Sequence, residues 1–70
     1  MKKENKSFIK DNRHHYDILI KAGYVSQLDG ATRQRMRDII REEINPTYNT
    51  DLWCSTCVAE MIKYLYTHIK

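Results

Sequence analysis

Apolar positions recur along this chain at the three- and four-residue spacing of helices, in three blocks separated by short polar stretches. The last block carries the strongest pattern. Cys54, Val58, Met61, Ile62, Leu65 and Ile69 fall on one helical face, and no Gly or Pro interrupts them. Trp53, Cys57, Tyr64 and His68 occupy the adjoining strip, so the apolar and aromatic arc spans roughly half the circumference, wider than one neighbour requires. Such a helix must pack on two elements at once, either both from this chain or one from another chain.

The first block predicts a helix from Phe8 to about Ala22 with Ser7 as its N-cap. Phe8, Ile9, Tyr16, Leu19 and Ile20 share a face, and Arg13, Asp17 and Lys21 form an i, i+4 ladder on the outside. Gly23 suits the C′ position, where Tyr24 would fold back onto Leu19 in a Schellman-type ending. After a connector from Val25 to Leu28, Asp29 or Thr32 caps a second helix that runs to about Ile44 on the stripe Met36, Ile39, Ile40 and Ile44. Pro46 stops it, and residues 45–50 form a turn before Thr50 or Asp51 caps the third helix. The expected fold is all-α, a small three-helix bundle with a long C-terminal amphipathic helix. Residues 1–7 are expected to be a flexible lysine-rich lead-in and residues 8–70 a single helical domain. Short connections place helices one and three in the same direction, with helix two between them.

A chain of 70 residues is at the small end for an independent domain, and a partner would add stability. Its 41% hydrophobic and 30% charged composition, with five Tyr and one Trp, suits a packed helical protein and not a disordered one. The longest aliphatic run is Ile18-Leu19-Ile20, too short for a membrane span, and the first ten residues lack the apolar stretch of a signal peptide. These features predict a cytoplasmic location, no membrane contact and reduced cysteines. The net charge of +3 is concentrated in Lys2, Lys3, Lys6 and Lys10 and in Arg33, Arg35, Arg37 and Arg41.

Three stretches carry candidate chemistry. Trp53-Cys54-Ser55-Thr56-Cys57 resembles the Trp-Cys-x-x-Cys redox centre of thioredoxin-like proteins, in which a helix N-terminus lowers the first thiol's pKa. That family sets the motif after a β-strand, which this chain lacks, so the resemblance is confined to five residues. A zinc site would need four ligands, of which Cys54 and Cys57 supply two and His15 a third, so a complete site would require two chains. The simpler reading makes both cysteines small buried hydrophobes. In the second helix, Arg33, Arg37 and Arg41 form a ridge that would meet phosphates, with Gln34 reaching a base edge, as in helix-turn-helix proteins. Asp38, Glu42 and Glu43 interrupt that ridge, and Asp38 is placed to pair with Arg35 and Arg41. No spacing brings nucleophile, base and orienter together, so neither an enzyme nor a cofactor is expected.

The segment Asn45-Pro46-Thr47-Tyr48-Asn49, followed by Cys54-x-x-Cys57 and an amphipathic helix, resembles the ending of short uncharacterised proteins encoded by phages of Bacteroidota. The resemblance covers the C-terminal third and implies a viral protein of the host cytoplasm or virion that acts by association. Together these readings predict a protein-protein association module, partnered by another protein or by a second copy. Trp53, Met61, Tyr64, Leu65, Tyr66 and Ile69 are the expected contact residues, because aromatics and Met are what interfaces favour. Nucleic-acid binding through the arginine ridge, and zinc or thiol-redox chemistry at the cysteines, are the alternatives.

Overall fold

All three apolar blocks are helical in the computed structural model of the chain, which describes residues 2–25 and 28–69; among them there is no strand. The first block is two helices and not one, α1 (Lys3–Asp11) and α2 (Arg13–Ala22), which meet at Asn12. Asn12 sits at φ −107°, ψ 9°, and both its side-chain amide and its main-chain N–H donate to the Phe8 oxygen, at 2.9 and 3.0 Å. An asparagine side chain that competes for a main-chain carbonyl weakens the ladder where it sits. The next bond is a tight one from His15 N–H to the Asn12 oxygen, 3.1 Å, at the start of α2.

The expected lead-in is also helical. Residues 3–7 form the first turns of α1, and Asn5 among them is 0% exposed. Ser7 is therefore inside the helix and caps nothing. Lys2 holds the N-cap position without a side-chain bond, and its N–H donates instead to a Glu43 carboxylate oxygen, 2.9 Å away.

The remaining boundaries follow local chemistry. Gly23 takes φ 77° and donates to the Leu19 oxygen at 2.9 Å, the single-bond left-handed ending in place of the Schellman pair. Tyr24 does not fold back into the core but is 62% exposed. Asp29 caps α3 (Gly30–Glu43) as expected, accepting the Thr32 N–H at 2.7 Å. Beyond α3, Asn45 Oδ1 accepts from the Thr47 N–H and hydroxyl and closes the turn that contains Pro46. The last helix, α4 (Ser55–His68), starts later than Asp51 because Asp51 spends its carboxylate on the Trp53 N–H, 2.9 Å away. The N-cap is Cys54, whose sulfur accepts the Cys57 N–H at 3.3 Å. At 14 residues, α4 is no longer than α3.

The core joins Ile9, Leu19, Leu28, Met36, Ile39 and Ile40 to Val58, Met61, Ile62, Leu65 and Tyr66. The element packed against both α2 and α3 is α4, so the last helix and not the middle one is central. The radius of gyration, 11.1 Å, matches the roughly 11 Å of a compact domain of this length. No described helix is long and apolar enough to cross a membrane.

The inner part of the broad arc of α4 is enclosed by this chain alone, while Trp53 and His68 at its edge are exposed. Val58, Met61, Ile62 and Leu65 are at most 2% exposed. Two straight companions would leave part of the arc bare. The break at Asn12 supplies a third helical companion, and Leu28, Tyr48 and Leu52 reach in from the connectors.

Candidate functional site

The expected contact residues of the last helix separate into two groups. Met61, Leu65 and Tyr66 are core residues and are withdrawn from any contact surface, because burial within their own chain leaves them nothing to offer a partner. Ile69 is half-buried against the same core. Tyr64, also half-buried, is stacked between Tyr48 and His68, with ring centroids 5.0 and 4.1 Å away. Trp53 alone of the six is strongly exposed, at 79%. Its ring lies over the start of α3, where the Arg33 guanidinium is 5.8 Å from the ring centroid.

The arginine ridge of α3 holds its own chain together. Arg33 Nη1 donates to the Leu52 oxygen at 3.1 Å, and Arg41 Nε donates to the Tyr48 oxygen at 2.7 Å. These two arginines, about two turns apart, pin the connector between α3 and α4 along the side of α3. Arg37 pairs with its neighbour Asp38 at 3.5 Å, and Asp38 is not placed between Arg35 and Arg41 as the spacing suggested. Arg35 donates to Asn5 Oδ1 and so ties α1 to α3. Gln34 is exposed. The Nε atoms of Arg33 and Arg37 are enclosed without a hydrogen bond.

Asn5 is a hub that its polarity hid in the sequence. Its amide nitrogen donates to Glu42 and Glu43, at 3.2 and 3.3 Å, while its oxygen accepts from Arg35. Lys2 Nζ adds an ion pair to Glu42 at 3.3 Å. Two carboxylates at the end of α3 oppose that helix's own dipole, but here they face the amino end of α1, where negative charge is favoured. The Asn5 amide, with Lys2, holds the Glu42 carboxyl below its ordinary pKa, and the Lys2 main-chain N–H, with Asn5, does so for Glu43. The available sequence signal was position, since Asn5 stands i−3 and i−4 from Phe8 and Ile9, on the inward face.

The cysteines lie where a helix begins, half-exposed and unbridged, not as buried hydrophobes. Cys54 occupies the N-cap and Cys57 the third helical position of α4. Hydrogen bonds from the Cys57 thiol and main-chain N–H, and a weaker one from the Thr56 main chain, hold the Cys54 thiol below its ordinary pKa of 9.0. The same thiol bond, with burial and the nearby Cys54 charge, pushes Cys57 above that value. The two thiols are thus shifted in opposite directions, Cys54 toward the thiolate and Cys57 away from it. His15 is half-buried, and burial together with His14 lowers its pKa. It does not join the two cysteines, for no group of three metal-ligating side chains gathers among the described residues.

A groove of about 400 Å³ runs between the end of α2 and the first half of α4, and neither cysteine lines it. Leu19, Tyr24 and Val25 form one wall, and Ser55, Thr56 and Ala59 form the other. Sequence spacing missed this site because its walls come from separate helices and because Tyr24 was expected to be tucked away. No family model matches this chain, and no curated protein or solved structure is significantly similar to it.

Proposed function

We propose that this chain is a small thiol–disulfide exchange module that acts on a protein partner. The observation that carries the reading is the Cys54 sulfur at the N-cap of α4, accepting the Cys57 N–H at 3.3 Å, with the second thiol one turn along the same helix. The Cys54 thiolate would attack one sulfur of a partner disulfide, forming a mixed disulfide and releasing the partner's other sulfur as a thiolate that takes up a proton. Cys57, after losing its proton, would attack Cys54 and displace the second partner sulfur. The chain ends with a Cys54–Cys57 disulfide and the partner is reduced by two electrons. Trp53, exposed next to Cys54 in the chain, offers the partner's flanking segment an aromatic ledge.

The test is alkylation by iodoacetamide as a function of pH, followed by mass spectrometry of the chain mixed with a disulfide-containing protein. Cys54 should react with a midpoint below pH 9.0 and Cys57 with one above it. C57S should trap a mixed disulfide, and C54S should form none while keeping an oxygen cap on α4. Equal reactivity of the two thiols, with no internal disulfide in a glutathione buffer, would refute the proposal.

A second reading is association without thiol chemistry, favoured by the 79% exposure of Trp53. It predicts a partner complex lost in W53A and retained in the C54S/C57S double variant, which separates it from the first.

A further inference from the structure

The chain's cations divide sharply between those it uses and those it leaves free. Lys2 and Arg13 have ion-pair partners, Glu42 and Asp17, and the four arginines of α3 are taken up by Leu52, Asn5, Asp38 and Tyr48. Lys3, Lys6 and Lys10 are exposed on α1, and no ion pair engages them among the described residues. At 100° per residue they fall within an arc of about 60°, spread over about 10.5 Å of helix axis. Glu4 and Asp11 stand about 80–100° to one side of Lys3, leaving the lysine arc without an acid. Most acids of the chain are already committed: Asp17, Asp38, Glu42 and Glu43 to cations or amides, and Asp29 and Asp51 to main-chain N–H groups. Lys3, Lys6 and Lys10 are therefore three uncommitted cations on one face of α1.

We infer that the Lys3–Lys6–Lys10 ridge of α1 binds the phosphate backbone of a nucleic acid, independently of the dithiol. The charge alone suits this partner best. A protein interface needs an apolar anchor at its centre, and an amphipathic helix on a lipid surface needs apolar side chains to insert. The lysine arc has neither, since Phe8 and Ile9 face the core. A phosphate backbone requires only matched charge, and about 10.5 Å of ridge spans about three phosphates of one strand at 3.4 Å rise. Binding of this kind is independent of sequence and steeply dependent on salt. It also places the nucleic-acid contact away from α3, whose arginines already have partners within the chain.

The test is fluorescence anisotropy of a labelled 20-base-pair mixed-sequence duplex, titrated with the full chain at several salt concentrations. Three neutralised phosphates give a slope of log affinity against log salt of about −2.7, or about 40-fold weaker binding between 50 and 200 mM salt. K3Q/K6Q/K10Q should abolish most of that slope and weaken binding at 50 mM salt at least tenfold, with the helical circular dichroism retained. K21Q/K63Q, which removes two unpaired lysines elsewhere, should leave affinity within twofold. The proposal is overturned if no duplex binding occurs at 50 mM salt. Equal effects of the two variant sets overturn it too, as does lysine-dependent binding to phosphatidylserine vesicles that exceeds binding to the duplex.

Discussion

The Tyr66 hydroxyl donates to the main-chain oxygen of Ile9 at 2.7 Å, a bond that ties the last turns of α4 to α1 across 57 residues of chain. Ile9 lies just before the break at Asn12, where the helical ladder lapses, so the tyrosine supplies a donor to a carbonyl that the broken helix leaves short. The Tyr66 ring also stacks on Tyr16 in α2, with centroids 5.3 Å apart. One side chain thus holds both halves of the broken helix. Y66F keeps the ring and removes the donor, leaving a buried oxygen unsatisfied. The expected cost is about 1–3 kcal/mol, read as a lower Tm at unchanged helical content.

The same residue gives the fold an alkaline limit. Burial pushes the Tyr66 phenol from 10.0 up to about 12. The unfolded chain therefore gives up this proton before the folded one does, and unfolding releases a proton between those values. The stabilising contribution is complete below pH 10 and disappears as pH rises toward 12. Urea midpoints taken between pH 9 and 11 should fall more steeply for the native chain than for Y66F.

Removing the buried amide of Asn5 should loosen α1 at its start. N5A leaves Arg35 without its acceptor and Glu42 and Glu43 without a shared donor, at a cost of about 1–3 kcal/mol. Deleting residues 1–6 should destabilise at least as much, and it should also expose amides of α3 to hydrogen exchange. A dispensable lead-in would predict no change in either measurement.

Those residues show where a helical pattern is readable and where it is not. The all-α class, the Asp29 cap, the left-handed turn at Gly23 and the stop at Pro46 each depend on neighbours within four residues, and each was legible. Asn12 was not, because its side chain can either face solvent or compete for the Phe8 carbonyl, and spacing does not distinguish the two. The start of α4 was misplaced because Asp51 and Cys54 both have capping atoms, and the choice depends on which main-chain N–H each one meets. The α3 arginines formed a ridge in projection, but their partners Leu52 and Tyr48 lie on a connector that periodicity cannot place. The cysteines were legible as a motif and not as a capped, half-exposed pair.

The two glycines should respond to alanine in opposite directions. Gly23 holds φ 77°, and nothing lies within 4 Å of an added Cβ, so G23A meets only the backbone penalty of a left-handed residue, about 1 kcal/mol of stability lost. Gly30 begins α3, and its added Cβ would rest 3.8 Å from the Trp53 ring, an ordinary contact. G30A should therefore stabilise by about 0.4–1 kcal/mol through the lower entropy of the unfolded chain. Parallel denaturant curves for the two variants test both signs.

Arg41 distinguishes a residue kept for the fold from one kept for a nucleic acid. Its Nε donates to the Tyr48 oxygen at 2.7 Å and one Nη to Asn49 Oδ1 at 3.4 Å, a forked grip on the connector. A lysine carries the same charge but has one compact head and cannot reproduce the fork. R41K should therefore destabilise by about 1–2 kcal/mol, nearly as much as R41Q, because the lost hydrogen bonds outweigh the retained charge. Phosphate binding would give the reverse order, with lysine substituting well and glutamine poorly. Thermal unfolding of the two variants, beside their affinity for the same duplex, separates the cases. We expect both variants to lose stability together while duplex affinity stays within twofold in both.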